Sequence, residues 1–229
     1  MDGFTRYAIF YYPPDGPLAD FGARWLGWDP RTGRRLAHPA LPGLPRPVAA
    51  ITGTPRKYGF HGTLKPPFQL AQGFDVSELH AATEALAASL APVLLDELTL
   101  ARIDGFLALV PEGETTPLAL LAARVVEALD AFRQPPEENE LARRRAPGLS
   151  DRQEVLLQQW GYPYVMEEFR FHLTLTGGLS DAEAEAVAER LRPEIAPLLP
   201  RPFRIRDICL FGEGQDGRFH LLHRYALTG

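Results

Sequence analysis

Cysteine and long hydrophobic runs are both scarce in this chain. Cys209 is the only cysteine among 229 residues, so no internal disulfide can form, and its apolar setting "IRDICLF" predicts a buried structural thiol rather than a nucleophile. No apolar stretch approaches the roughly 18 residues that cross a bilayer. The N-terminal segment carries an early acid and is interrupted by Pro13-Pro14, which predicts a first strand rather than a signal peptide. We therefore expect a cytoplasmic protein without a membrane partner.

An excess of positive charge is also missing. The chain has 24 Lys and Arg against 29 Asp and Glu, for a formal net charge of −5, which argues against broad, non-specific binding to nucleic acid. A small anionic ligand, or one nucleic-acid end held in a locally basic cleft, is compatible with this charge. The hydrophobic content of 45 % and the charged content of 23 % are those of an ordinary globular protein with a substantial core.

Turn and helix signals divide the chain into two similar halves. Each half runs strand, helix, strand, helix, strand, and the halves begin at "RYAIFYY" and "GFLALVP". Asp75 with Glu78, and Ser180 with Glu183, predict capping boxes at two helix starts. Two α+β lobes facing each other across a groove would satisfy this pattern. The predicted organisation is one domain over 1–229 with interleaved lobes, repeat units of about 6–104 and 105–229, and a polar insertion at about 134–154.

One short sequence occurs twice. "FHGTL" at 60–64 returns as "FHLTL" at 171–175, and each copy falls in a predicted strand. Six histidines in a chain of this threonine content would give roughly 0.3 chance His-x-Thr matches. Because side chains alternate along a strand, each copy places His and Thr on one face and apolar residues on the other. The predicted polar faces comprise His61, Thr63 and Lys65 in the first copy and Arg170, His172, Thr174 and Thr176 in the second.

These residue types suit phosphate chemistry. Histidine titrates near neutral pH, so one imidazole can accept a proton while a second, protonated one donates. The threonine hydroxyls can donate to phosphoryl oxygens, and Lys65 and Arg170 add positive charge. This arrangement needs no metal ion. Whether His61 or His172 is the base stays open, as does an alternative in which each histidine only bonds its own threonine neighbour.

Other features give weaker functional signals. His220 in "RFHLL" lacks a threonine two positions on, so we predict a structural role. The run "LARRRAP" could clamp a nucleic-acid backbone, but arginines 143–145 beside "PEENE" are more typical of a solvated, charge-balanced face. The tryptophans of "RWLGW" could stack on a base, although core packing is the favoured interpretation.

The paired His-x-Thr strands resemble the 2H phosphoesterase superfamily, which includes 2′-5′ RNA ligase-like proteins and cyclic phosphodiesterases. The stretches "RKYGFHGTLKPPF" and "FRFHLTLTG" are similar, more narrowly, to a bacterial branch associated with phosphonate metabolism. The resemblance implies an α+β, bilobal, pseudo-twofold duplicated fold, with antiparallel sheets lining a central cleft and helices on the outside. It also implies a catalytic pair, His61 and His172, and substrate-binding residues Thr63, Thr174, Lys65, Arg170, Arg56 and Tyr58.

The predicted function is therefore a metal-independent phosphodiesterase, without a cofactor, that hydrolyses a cyclic phosphate or a 2′-5′-type phosphodiester. The family association implies a small phosphorylated substrate, a nucleotide or ribose phosphate linked to phosphonate breakdown, and we expect a monomer. An RNA-end-processing enzyme and a non-catalytic nucleotide or RNA-end binding protein are the alternatives. Strict alternation would turn Arg56 and Tyr58 toward the core, so they reach the cleft only if a loop or bulge intervenes.

Overall fold

The computed structural model describes residues 3–229. The strands are β1 (Arg6–Tyr11), β2 (Trp28–Asp29), β3 (Arg34–Arg35), β4 (Gly62–Phe68), β5 (Val93–Leu95), β6 (Glu97–Ile103), β7 (Phe106–Glu112), β8 (Leu173–Thr174), β9 (Phe203–Ile205), β10 (Asp207–Glu213) and β11 (Phe219–Ala226). The helices are α1 (Pro17–Leu26), α2 (Val48–Ile51), α3 (Gly53–Arg56), α4 (Val76–Ala88), α5 (Thr116–Ala128), α6 (Glu138–Arg145), α7 (Asp151–Trp160) and α8 (Asp181–Ile195). Short 3₁₀ turns lie at Asp130–Phe132, Met166–Glu168 and Ala196–Leu198.

A seven-stranded antiparallel sheet organises the fold. Its strand order is β11-β10-β1-β4-β8-β7-β6, and each pairing between neighbours is antiparallel. Two smaller antiparallel pairs join β2 to β3 and β5 to β9. The predicted α+β class with antiparallel sheets is confirmed.

Two half-sheets meet where β4 pairs with β8. Four strands lie on the β4 side and three on the β8 side, and the two strands that meet are those that carry the His-x-Thr motifs. Their register is one residue pair, Gly62 with Leu173. The last two strands of the sequence pair onto β1, so the halves interleave along the chain. The repeat boundaries themselves, 6–104 and 105–229, stay a prediction.

Helices α4, α5 and α8 pack against one face of the sheet. The main hydrophobic core lies between them and the sheet, and it includes Tyr7, Ile9 and Tyr11 of β1. The alternate residues of β1, Ala8 and Phe10, belong to a second cluster and therefore face the other way. That opposite face is the one that carries the two histidines. None of the helices in the described residues is long and apolar enough to cross a membrane.

Local helix signals in the sequence are largely realised. The capping boxes that begin α4 and α8 are confirmed. The spacing of apolar residues predicts that α5 extends to Phe132, but the helix ends at Ala128 and a 3₁₀ turn continues the chain. The segment predicted as a polar insertion, 134–154, contains α6, in which no residue is buried, and the first turn of α7. The second His-x-Thr copy forms a shorter strand than predicted, since β8 comprises only Leu173–Thr174.

Cys209 and two of the tryptophans are structural, as the sequence predicts. Cys209 is fully buried, and burial raises the pKa of its thiol, which removes it as a nucleophile at neutral pH. Trp25 and Trp28 are buried as well. Their indole nitrogens donate to the main-chain oxygens of Leu175 at 2.8 Å and Phe219 at 2.9 Å. Trp25 thus links α1 to the residue after β8, and Trp28 links β2 to β11.

Candidate active site

The register of β4 with β8 brings the two His-x-Thr motifs side by side. Gly62 and Leu173, the middle residues of the motifs, lie opposite each other on antiparallel strands. Each histidine therefore lies across from the threonine of the other motif, on the face away from the main core. Side chains directly opposite in such a pair have Cβ atoms about 5 Å apart. The arrangement has approximate twofold symmetry about this residue pair.

Both histidines are oriented by the same local hydrogen bond. Nδ1 of His61 donates to the main-chain oxygen of Gly59 at 2.9 Å, and Nδ1 of His172 donates to that of Arg170 at 2.9 Å. A carbonyl oxygen can only accept, so each Nδ1 carries a hydrogen and Nε2 of each neutral ring is a hydrogen-bond acceptor. Two identical tautomers therefore present Nε2 for proton transfer.

Each histidine ring also lies beside a phenylalanine. The Phe10 ring centre is 3.9 Å from that of His61, and the Phe106 ring centre is 5.7 Å from that of His172. The pKa of His61 is lowered to about 4, mainly by burial, which the Gly59 bond opposes and the nearby His172 reinforces. Burial likewise lowers the pKa of His172 below its ordinary 6.5. Both imidazoles are therefore neutral at pH 7 until an anion binds.

The four motif side chains line one cavity of about 600 Å³. Within it, the Thr63 hydroxyl lies 3.2 Å from Nε2 of His61, which is the contact expected of a histidine that only bonds its threonine neighbour. Both groups nevertheless face the cavity, so an entering phosphoryl oxygen can exchange with this contact. A neighbouring cavity of about 660 Å³ shares Thr63 and His172 with the first. The predicted convergence of the two histidines on one cavity is observed, and their catalytic role stays a prediction.

Tyr58 and Arg170 lie at this cleft. Tyr58 lines the first cavity, with its ring 5.7 Å from that of His61 and stacked on Phe219 at 5.1 Å. It follows α3, in the loop that the sequence required for it to reach the cleft. Arg170 is exposed and lines the second cavity rather than the first. Each residue thus lines a cavity that His172 also lines, and their contacts with a substrate stay a prediction.

The predicted placement of Lys65 is corrected by the structure. Between two pairs of partners, β1 advances one residue, from Ile9 to Phe10, while β4 advances two, between Lys65 and Thr63. The extra residue is a β-bulge, which breaks the alternation of side chains. As a result Leu64 and Lys65 are both buried, and Lys65 lines neither cavity of the cleft.

Lys65 instead forms hydrogen bonds to α5 and to the turn that follows it. Its Nζ donates to the main-chain oxygen of Val126 at 3.1 Å and to Asp130 at 3.3 Å. Asp130 also accepts from Arg133 at 2.8 Å. Burial lowers the pKa of Lys65 to about 8, against the opposing charge of Asp130. We therefore assign Lys65 to the junction of β4 and the end of α5.

Arg56 makes contacts within the protein, and its predicted contact with a substrate stays a prediction. Its guanidinium donates to the main-chain oxygens of Leu26 at 2.8 Å and Ala49 at 2.6 Å, and to the hydroxyl of Thr52 at 2.9 Å. It lines neither cavity of the cleft. Arg56 thus ties α3 to the ends of α1 and α2, and it supports the loop that carries Tyr58.

Several cleft residues were missed by sequence reasoning. Phe10 and Phe106 could have been suspected only from the pairing of their strands with β4 and β8, which the sequence does not fix. His220 lies outside both cavities, with its ring 5.1 Å from that of Trp28, in keeping with the structural role predicted for it. Among the described residues, no group of three His, Cys, Asp or Glu could hold a metal ion. Sequence reasoning missed Arg6 and Lys57 in the first cavity, and it favoured a solvated face for Arg143 and Arg144, which also line this cavity.

Comparison with known proteins identifies one family model. The model described as "Protein of unknown function (DUF1045)" matches residues 63–220. This match covers β4 from Thr63 onward, all of β8 and the segments between them.

Two curated proteins are similar in sequence, and both are named ribose 1,5-bisphosphate phosphokinase PhnN. The one from Janthinobacterium sp. (strain Marseille) is 41 % identical over 188 residues, which are 81 % of this chain and 42 % of that protein. The one from Laribacter hongkongensis (strain HLHK9) is 35 % identical over 218 residues, or 93 % of this chain and 49 % of that protein. The chain thus spans less than half the length of these relatives.

Solved structures similar in shape include E. coli LigT complexed with 3′-AMP, which is 16 % identical with a TM-score of 0.44 and covers 98 % of this chain and 99 % of its own. TT0787 of Thermus thermophilus is 15 % identical, with a TM-score of 0.44 and 98 % of both chains covered. A phosphoesterase is 15 % identical, with a TM-score of 0.44 and 99 % of both chains covered. One of these three neighbours is named as a phosphoesterase. Because these TM-scores lie below 0.5, the chemistry below rests on the residues of this chain.

Proposed function

The chain belongs to the DUF1045 family, and we propose that it is a 2H-type phosphodiesterase that hydrolyses a cyclic phosphate or a 2′-5′-type phosphodiester without a metal ion. One observation carries this proposal: His61 and His172, 111 positions apart by their numbers, share one cavity with their threonines. A pair of imidazoles facing one cleft is the arrangement that general acid–base hydrolysis of a phosphodiester requires.

The reaction divides between the two Nε2 atoms. One neutral imidazole accepts a proton from water as the water oxygen forms a bond to phosphorus. The other imidazole, protonated, donates to the ester oxygen as its bond to phosphorus breaks. The products are a phosphomonoester and a free hydroxyl group, and the two rings have exchanged protonation states. The negative charge of the substrate favours protonation of one ring, because an adjacent anion raises the pKa of a histidine.

The threonine hydroxyls hold the phosphoryl group between the rings. Thr63 and Thr174 line the cavity from opposite strands, so each can donate to one non-bridging oxygen. Charge on these oxygens grows in the transition state, and preorganised donors stabilise it more than the ground state. Tyr58 and Arg170 then contact the remainder of the substrate from either side.

A small substrate fits this cleft. A volume of about 600 Å³ lies within the range of roughly 300–1,000 Å³ typical of small-molecule sites. We propose a nucleotide or ribose cyclic phosphate, linked to phosphonate metabolism. The name of the two curated relatives, ribose 1,5-bisphosphate phosphokinase, supports a ribose phosphate in particular.

The kinase activity in that name is not what we propose for this chain. The phosphate-binding loop of many kinases contains a Gly-Lys pair. In this chain Lys57 follows Arg56 and Lys65 follows Leu64, so neither lysine forms such a pair. Since the match covers less than half of each relative, we propose that phosphoryl transfer belongs to the remainder of those proteins.

The test is a turnover assay with EDTA present. The purified protein is incubated with 2′,3′-cyclic nucleotides, ribose cyclic phosphates and 2′-5′ dinucleotides, and phosphomonoester is measured. We expect His61→Ala and His172→Ala each to lower turnover by about 10²- to 10⁴-fold, while the control His220→Ala retains turnover. A double variant with full activity would refute the mechanism. Binding without any turnover by the wild type would instead identify a non-catalytic binder, and steeply salt-dependent binding of RNA would favour an RNA-end-processing enzyme.

A further inference from the structure

The first cavity of the cleft is lined by four cationic side chains. In the described part of the chain no Asp or Glu is among the residues that line it, although acidic residues outnumber basic ones in the sequence by 29 to 24. A single phosphodiester carries one negative charge, which the histidines and threonines already accommodate. The cavity therefore holds more positive charge than the proposed reaction uses. The four cations are Arg6, Lys57, Arg143 and Arg144.

Helix α6 contributes two of these cations. The Arg144 guanidinium lies 4.7 Å from the ring centre of Tyr162, and its Nη2 donates to Glu140 at 2.5 Å. Its Nε is buried, with no acceptor among the described residues. A buried donor without a partner is uncommon in folded proteins and calls for an acceptor. Arg143 is more loosely held, with Glu140 at 3.9 Å.

The other two cations come from β1 and from the residues that follow α3. Arg6 donates to both oxygens of Glu213, at 2.5 and 2.8 Å. Lys57 lies 4.8 Å from the ring centre of Tyr58, and no carboxylate of residues 3–229 lies within ion-pair distance of it. Glu213 and Glu140 together offset two of the four positive charges. About two are left for a ligand.

The basic cluster lies some distance from the histidine pair. Arg6 is four residues before Phe10 on β1, on the same face, and Phe10 is the residue beside His61. Four residues of a strand span about 13 Å. The arginine side chains shorten this gap, because they extend from the backbone into the cavity. The remaining distance suits two phosphate groups separated by one sugar ring.

We propose that Arg6, Lys57, Arg143 and Arg144 form a second anion subsite, which binds a further phosphate group of the same substrate. The inference rests on the proposed function for the position of the reacting phosphate. It assigns the substrate class: a cyclic phosphate on a sugar that already carries a phosphomonoester elsewhere. Guanidinium groups recognise a phosphate dianion with strong, charge-assisted hydrogen bonds, and α6 supplies two of them.

The test compares two substrates that differ only in the second phosphate. Adenosine 2′,3′-cyclic phosphate is measured with and without a 5′-phosphate, and ribose 5-phosphate derivatives serve as a second pair. We expect kcat/KM to be about 10- to 100-fold higher for the compound with the extra phosphate, which is what one or two hydrogen bonds to charged groups contribute. This preference falls as salt rises.

Variants of α6 test which arginines cause the preference for the substrate with the second phosphate. Arg144→Gln and Arg143→Gln are each expected to reduce the ratio of the two kcat/KM values by at least about fivefold. The matched control is Arg145→Gln, because Arg145 is on the same helix but pairs with Glu154 at 2.7 Å and lines neither cavity of the cleft. The control should keep the wild-type ratio. The Arg143 side chain is 72 % exposed, so Arg143→Gln should fold normally even if Arg144→Gln does not fold.

The ways in which the test can fail are distinguishable. Equal kcat/KM for both members of each pair, with measurable turnover, would overturn the second subsite and leave the phosphodiesterase standing. No turnover of any compound would count against the proposed function, and calorimetric binding of the same pairs to the wild-type protein would then decide the subsite alone. Tighter binding of the doubly phosphorylated member, lost in Arg143→Gln but not in Arg145→Gln, supports it. Equal binding overturns it.

Discussion

Gly62 is the residue on which the geometry of the two motifs depends most directly. A Cβ atom placed on it would lie 2.4 Å from Cε2 and 2.5 Å from Cζ of Phe171. These distances are well inside van der Waals contact, so Gly62→Ala requires the Phe171 ring or the strand to move. The ring has little freedom, because it is buried and lies beside Tyr11 at 5.9 Å and Phe203 at 6.2 Å.

The expected cost follows from this overlap. Overpacking of a well-packed core destabilises proteins by about 1–3 kcal/mol, which in a chain of this length corresponds to a melting temperature lower by roughly 2–4 °C per kcal/mol. The larger effect is on activity. Gly62 and Leu173 are the paired residues of β4 and β8, so separating them moves the two histidines apart. A displacement of about 1 Å between reacting groups can lower kcat/KM by about 10²-fold.

Urea unfolding and turnover measure the two effects. The control is Gly53→Ala, because a Cβ there meets nothing within 4 Å and alanine in a helix is favourable. The double variant Gly62→Ala/Phe171→Leu should be more stable, by about 1 kcal/mol, than the sum of its single variants implies, since leucine vacates the contested space. A Gly62→Ala protein with wild-type stability and wild-type kcat/KM would refute the reasoning.

Two further predictions concern titrating groups. Lys65→Met should leave kcat/KM within about twofold, because Lys65 lines neither cavity and Asp130 keeps its bond to Arg133. The folded-state pKa of about 8 lies below the ordinary value of 10.5, so the unfolded chain binds this proton more tightly. From about pH 8 to 10.5 the free energy of unfolding of the wild type should then rise relative to that of Lys65→Met, which a pH series of urea titrations on both proteins measures. The optimum pH of kcat/KM should lie below 6.5, because burial lowers the pKa of His61 to about 4 and that of His172 below its ordinary value, so both rings of the free protein are neutral at higher pH. A bound anion raises these pKa values, so kcat should peak at higher pH, and a kcat/KM optimum above pH 7 would contradict the assignment.

The histidine pair could be predicted from the sequence because its signal is local and repeated. In both copies an aromatic residue precedes the histidine and a threonine follows two positions on, so period-two alternation fixes the shared face of His61 with Thr63 and of His172 with Thr174. The duplicated order of elements then predicts that the copies meet. Capping boxes were predictable for the same reason, since they depend on residues three positions apart.

Lys65 could not be placed from the same pattern. Its orientation depends on a bulge in the pairing of β4 with β1, which is a relation between segments more than 50 residues apart. The sequence does show Pro66-Pro67 directly afterwards, and two prolines are a sign of an irregular strand. The prolines do not indicate on which face of the sheet the Lys65 side chain lies.

The arginines of α6 show a second limit of prediction from the sequence. Their local charge pattern predicts ion pairs with glutamates, and Glu140 and Glu154 do pair with Arg144 and Arg145. A helix has several faces, however, and the orientation of α6 in the fold decides which arginines line the cleft. Sequence spacing alone assigns all three arginines to the same solvated surface.

The junction of the half-sheets has a consequence for how the protein meets its ligand. Within the sheet, β4 and β8 are joined by a single rung of the ladder, whereas β10 and β11 share a long one. A ligand bound by both motifs would connect β4 and β8 at this single pairing and hold the two half-sheets together. Recognition and tightening of the scaffold would then be the same event, driven by the ligand itself.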